Sequence, residues 1–114
     1  MSDCLFCAIA AGDIPADVVH SDERTVAFRD INPQAPVHVL VIPREHHDTA
    51  GDLASADPSL TAELIGVAAS IAQREGVADS GYRIVTNTGA DAGQSVRHVH
   101  FHLLGGRGLA WPPG

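Results

Sequence analysis

The segment HVHFHLLGG, residues 98–106, sets His98, His100 and His102 at alternate positions and fills the gaps with Val99, Phe101 and Leu103. Residues two apart face nearly opposite ways on an α-helix but share one face of a β-strand. The spacing therefore predicts a strand with three imidazoles on one side and an apolar stripe on the other. The apolar side has the period of a half-buried strand, which leaves the imidazole side as the exposed or cleft side. Three solvated histidines would be the plain interpretation, but an uninterrupted row makes chemistry the better one. One metal does not easily take all three: ligand bonds of about 2.0–2.1 Å let neighbours converge, but the outer pair is separated by roughly 13 Å of strand. A division of labour fits instead, with one imidazole as nucleophile and its neighbours orienting it or moving protons. An unperturbed pKa of about 6.5 leaves histidine mostly neutral, yet readily protonated, near pH 7.

The loop before the triad, TNTGADAGQS, is rich in glycine and small residues. Glycines let backbone N–H groups close on a ligand and turn inward as an anion-binding nest, which would seat a phosphate beside the nucleophile; the same residues also make ordinary turns. No G-x-x-x-x-G-K-[ST] loop and no G-x-S-x-G elbow is present, so Ser95 reads as a hydrogen-bond donor rather than a nucleophile. The two cysteines, Cys4 and Cys7, form C-x-x-C. That is half of a structural zinc site. A thioredoxin-like role would need a supporting βαβ pattern that is missing, and a reducing compartment disfavours a structural disulfide.

The elements that must position these residues are mixed. Residues 3–11 predict a short helix stopping at Gly12, and DVVHSDERTVAFRD predicts a hairpin turning around Asp22 and Glu23. PVHVLVIPR, 36–44, is a strand bounded by prolines. Asp57 before Pro58 is an N-cap with proline at the first helical position, and Leu60, Leu64, Val67 and Ile71 follow at helical spacing until Gly76. YRIVTNT, 82–88, is a further strand leading through the glycine loop to the histidines. Two helices and about five strands with short links predict an α+β fold with an antiparallel sheet.

The 114 residues bound the chain to a single domain, 1–114, with 107–114 as a C-terminal tail. No apolar run approaches the roughly 18 residues of a membrane span, and MSDCLFCAIA lacks a basic n-region and a long apolar h-region; a cytoplasmic location is expected. The net charge of −7 disfavours long nucleic acids and anionic membranes, because there is no basic stripe to neutralise phosphates. A small phosphorylated ligand needs only a few local donors and stays allowed.

His98-Val99-His100-Phe101-His102-Leu103-Leu104 matches the H-φ-H-φ-H-φ-φ signature of the histidine triad (HIT) nucleotide-binding proteins. FRDINPQAPVHVLVIPREH, GYRIVTNTGADAGQSVRHVHFHLLGG and WPPG are similar to the HINT branch, so the resemblance spans nearly the whole chain. It implies a HIT-like fold whose sheets join across a homodimer, a purine nucleotide site, and hydrolysis of nucleoside 5′-phosphoramidates such as adenosine 5′-monophosphoramidate or adenylylated lysine. On this resemblance His100 is the nucleophile that attacks the α-phosphorus, His102 and Ser95 contact the phosphate and the departing amine, and His38 supports the nucleophile. Asp30 binds the ribose hydroxyls with Ile31 beside the base, and Asn87, Gly93 and Gln94 line the ribose and phosphate. The resemblance also implies a structural zinc on Cys4, Cys7, His46 and His98, with His47 competing for the place of His46. That set requires the start of the histidine strand to twist His98 away from His100; the alternative is two thiols that only pack. No cofactor or magnesium ion is needed for the chemistry. Two other functions remain open: a dinucleoside polyphosphate hydrolase of the Fhit type, and a nucleotide-binding module without catalysis. The tail, with Trp111, is expected to lie near the partner subunit's active site and to influence which amine is accepted.

Overall fold

The computed structural model describes residues 4–114. Helix α1 spans Leu5–Ala10, with Cys4 at its N-cap accepting the Cys7 N–H through Sγ at 3.3 Å; Asp3, where the sequence would begin this helix, lies outside the described residues. Strands β1 (Val18–Ser21) and β2 (Thr25–Arg29) form the expected hairpin, and β3 is Val37–Pro43. A short helix α2, Ala50–Ala56, precedes the long α3, Pro58–Arg74. Strands β4 (Tyr82–Val85) and β5 (Phe101–Gly105) complete one antiparallel sheet of order β1-β2-β3-β5-β4. Among the described residues no helix is long and apolar enough to cross a membrane.

The sheet is buried on both faces, and the period of two along β3 decides which side chain goes where. Val37, Val39 and Val41 join Val99, Phe101 and Leu103 beneath Leu60, Leu64 and Ile71 of α3. On the other face Leu40 and Ile42 pack with Val26, Phe28 and Phe6 of α1. The apolar stripe of the histidine segment is thus core, as its pattern predicts. Its imidazole side is the cleft side rather than an open surface: Phe6 of α1 packs over His98 and His100, which are 0% and 6% exposed, and His100 and His102 border a cavity.

Three expectations are corrected. The regular strand begins only at Phe101, because the Val99 N–H donates to the His47 carbonyl at 2.7 Å, beyond the end of β3; His98 and His100 lie on the bent approach to β5. Strand β4 ends at Val85 rather than 88. Opposite this bend the Thr86 hydroxyl donates to the His100 carbonyl at 3.0 Å, a side-chain bond where the ladder has stopped. Helix α2 adds a seven-residue element to the two expected helices. It is set by the Thr49 N-cap on the Asp52 N–H and buries only Leu53, too little apolar periodicity to be seen in sequence.

Candidate functional site

The three triad rings sit on one face, and each has its second nitrogen committed to a different partner. His100 Nδ1 lies 2.8 Å from the His98 carbonyl. A carbonyl only accepts, so the proton is on Nδ1 and Nε2 carries the free electron pair. His102 is ordered by His38, a diagonal neighbour across the β3–β5 ladder, where His38 pairs with Leu104 and His102 with Leu40. The Gln34 N–H donates to His38 Nδ1 at 3.0 Å. His38 therefore carries its proton on Nε2 and donates to His102 Nδ1 at 2.9 Å, which leaves His102 with N–H at Nε2. His38 contacts His102 rather than the expected nucleophile, and it is the His98 carbonyl that orients His100.

Burial favours the neutral forms of His102 and His38. The pKa of His102 is pushed down to about 4, first by desolvation and then by the neighbouring His100 and His38. His38 is also lowered by burial, with the Asp30 carboxylate, 3.4 Å from Nε2, pulling the other way.

His100 and His102 border a cavity of about 370 Å³ that is lined also by Asp30 and Ser95 and by the apolar Phe6, Ile9, Ile14, Phe28 and Leu40. A mostly apolar lining with a few polar groups suits a flat ligand that carries a charged group. Phe6 meets the His100 ring edge-on, with centroids 5.0 Å apart. Arg44 secures the α1 wall by donating to the carbonyls of Ala10 (2.6 Å) and Asp22 (2.7 Å) and to Ser21 Oγ (2.7 Å). Ile31 borders the cavity while 100% exposed, a large apolar side chain without cover at the mouth.

Of the expected site residues, the structure brings Asp30, Ile31, Ser95, His100 and His102 to this cavity, with His38 behind them. Asn87, Gly93 and Gln94 are not among its lining residues. Gly93, at φ +83°, makes the turn of the loop. Gln94 fastens that loop: Oε1 accepts from the Gly89 N–H at 2.9 Å, and Nε2 donates to the Asp48 carbonyl at 2.7 Å and the Val96 carbonyl at 3.1 Å. The apolar wall was missed in sequence. Its signal was present in Phe6 and Ile9, three apart on a helix, and in Phe28 and Leu40 on the second face of their strands.

Cys4, Cys7, His46 and His98 form a second centre, their ligand atoms all within 4.8 Å of one another. Cys4 Sγ lies 3.3 Å from His98 Nδ1, and Cys7 Sγ lies 3.3 Å from His46 Nδ1 and 3.4 Å from His98 Nδ1. Tetrahedral zinc with bonds of about 2.3 Å to sulfur and 2.0–2.1 Å to nitrogen sets S and N roughly 3.5 Å apart, so the donor set fits. The outer nitrogens fit as well. His98 Nε2 bonds the Pro43 carbonyl and His46 Nε2 the Asp48 carboxylate, each at 2.8 Å, which turns both Nδ1 atoms, unprotonated, towards the thiols. His47 instead pairs with Glu45 at 2.6 Å, so His46 is the histidine in the cluster. Asp30, His38 and His102 also converge within 4.8 Å, but His38 carries a proton on the nitrogen a metal would use.

The HIT domain matches residues 11–109 of the chain. The Escherichia coli purine nucleoside phosphoramidase is 45% identical over 107 residues, covering 94% of this chain and 90% of the relative. A 14 kDa zinc-binding protein of Zea mays is 47% identical over 116 residues, covering 99% and 89%. Among solved structures, a HIT family hydrolase from Legionella pneumophila superposes with a TM-score of 0.95 at 51% identity, covering 98% of this chain and 100% of that one.

Proposed function

The chain belongs to the HIT domain family, and we propose that within it the protein is a purine nucleoside phosphoramidase that hydrolyses adenosine 5′-monophosphoramidate-type P–N bonds through a nucleotidyl-histidine. The observation that carries this reading is the hydrogen-bond pattern that leaves an electron pair on His100 Nε2 and a proton on His102 Nε2, with both rings lining one mostly apolar cavity. Similarity to the E. coli phosphoramidase supports the substrate class.

In the first step His100 Nε2 bonds the α-phosphorus and the P–N bond to the amine breaks, its electron pair leaving on nitrogen. The amine needs a proton to leave; the Ser95 hydroxyl at the cavity rim hands it over and is reprotonated from water. His102, kept neutral by burial, donates its Nε2–H to a phosphate oxygen, stabilising charge without giving up the proton. In the second step a water oxygen bonds phosphorus, the P–Nε2 bond breaks with its pair returning to His100, and the water protons pass to solvent. The purine occupies the cavity between Phe28, Leu40 and the α1 wall, next to Ile31, and Asp30 takes the ribose hydroxyls. Asn87, Gly93 and Gln94 serve the ribose and phosphate by holding the Ser95 loop. Zinc on Cys4, Cys7, His46 and His98 supplies folding free energy, consistent with the Zea mays relative. The molecule works as a cytoplasmic homodimer, with the tail beside the partner's site. Trp111, 82% exposed, is the indole offered to that neighbour.

The test is to trap a labelled nucleotide on His100 and to compare cleavage of an adenosine phosphoramidate with that of a diadenosine polyphosphate. Labelling of His100 with phosphoramidate preferred is the expected result. Preference for the dinucleotide would make it an Fhit-type hydrolase, and binding without labelling or turnover a nucleotide-binding module.

A further inference from the structure

We propose that Arg107, at the root of the C-terminal tail, is a positioning residue for the triad: it holds the Gln34 segment against His38 and so decides which nitrogens of His38 and His102 carry protons. The inference deepens the reading of His102 as the phosphate's N–H donor and rests on it.

Arg107 Nε donates to the Gln34 carbonyl at 2.9 Å while Nη1 donates to the carbonyl of Gly108 at 2.8 Å. One guanidinium thus joins the end of β5 to the loop between β2 and β3. The N–H of the same Gln34 donates to His38 Nδ1. Among the described residues the loop's other hydrogen bonds run within itself and to His38: Gln34 Nε2 donates to the Asn32 carbonyl at 3.0 Å, the Asn32 N–H to Asp30 Oδ1 at 2.8 Å, and the Asp30 N–H to the His38 carbonyl at 3.0 Å. Gly106 adds close packing. Its φ of +89° and the Pro36 ring, 2.9 Å from where a Cβ would stand, leave no room for a side chain where β5 passes this loop.

The direction of the His38–His102 hydrogen bond depends on that N–H. While Gln34 donates to Nδ1, His38 must be the donor at Nε2, and His102 must accept at Nδ1 and present N–H at Nε2. If the loop withdraws, the Asp30 carboxylate, 3.4 Å from Nε2, is left to favour a proton there, and His38 takes up in part the Nδ1–H form that accepts from His102 Nδ1–H. His102 Nε2 then faces the phosphate with an electron pair, and a stabilising contact becomes a repulsive one. The line Arg107–Gln34–His38–His102 therefore connects the base of the tail to the phosphate site through hydrogen bonds alone.

The test uses the whole chain with 15N-labelled histidine. Imidazole nitrogen spectra of the wild type should show His38 and His102 as Nε2–H tautomers. In Arg107→Ala both should become mixtures, with kcat on an adenosine phosphoramidate falling about three- to tenfold at unchanged KM, and Arg107→Lys, which can still donate to the Gln34 carbonyl, should restore most of each. Unchanged tautomers in Arg107→Ala overturn the proposal, including the case in which only the melting temperature falls. Altered tautomers in a protein that cleaves no phosphoramidate uphold the positioning role and overturn the phosphoramidase reading.

Discussion

His98 and His102 are four residues apart on one short segment and belong to centres with different chemistry. Around His98 the partners are two thiols and a second imidazole, and the Pro43 carbonyl takes the outer N–H, so the unprotonated Nδ1 faces the thiols as a metal ligand would. Around His102 the neighbour is a histidine already protonated on the facing nitrogen, so the ring becomes a hydrogen-bond donor and no metal is accommodated. In both clusters the donor atoms lie within 4.8 Å of one another; the backbone group behind each ring separates them. The lesson is that a histidine's function is set by what holds its second nitrogen. His100, between the two, shows how they are joined: the main-chain carbonyl of His98 fixes the tautomer of His100.

The sharpest way to break this contrast is at His100. His100→Gly should lower turnover by about 10³-fold or more while mononucleotide affinity stays within about tenfold, because the covalent step is lost and few ground-state contacts are. Single-turnover kinetics beside calorimetric binding decides it, and near-normal turnover would remove His100 from its role.

On the thiol side, metal analysis should find about one zinc per chain. Cys4→Ser should reduce that content and lower the melting temperature by roughly 5 °C or more, since metal binding contributes to folding free energy. His47→Ala should keep its metal. An unchanged melting temperature in Cys4→Ser would show the two cysteines to be packing residues only.

On the triad side the effect is one of pH. Folded His102 titrates near 4 and the unfolded residue near 6.5, so as pH falls from about 6.5 to 4 the unfolded chain takes up a proton that the folded one refuses. Stability from this group is complete above about pH 6.5 and is lost through that window. Melting temperatures of wild type and His102→Asn across pH 4–8 isolate it: the wild type should fall more steeply on acidification, and parallel curves would contradict the buried, neutral ring.

The smallest effect is expected farthest from both centres. Deleting residues 109–114 should change the ranking of leaving amines more than mononucleotide affinity, with the proposed dimer retained. Arg83 bonds the Leu109 and Ala110 carbonyls at 3.2 and 3.0 Å, so the deletion begins where the tail is last held. Steady-state kinetics on a panel of adenosine phosphoramidates, with light scattering, measures both; an unaltered ranking would make the tail a packing element.

Alternation alone was enough to assign Val99, Phe101 and Leu103 to the core and the three histidines to the opposite face, because side-chain direction along an extended chain is a local property. Asp57-Pro58 likewise announced α3, since an N-cap acts on its own next turn. Which nitrogen each histidine offers was not legible. It depends on the Pro43 carbonyl, the Gln34 N–H and the His98 main chain, groups every residue carries and only folding selects. Nor did alternation reveal that the strand bends before Phe101, where the Val99 N–H bonds the His47 carbonyl and His98 meets cysteines 94 and 91 residues away. The C-x-x-C and the H-x-H-x-H announced which chemistries were available; the packing of α1, through Phe6, against β2, β3 and the approach to β5 decided the surroundings of each ring.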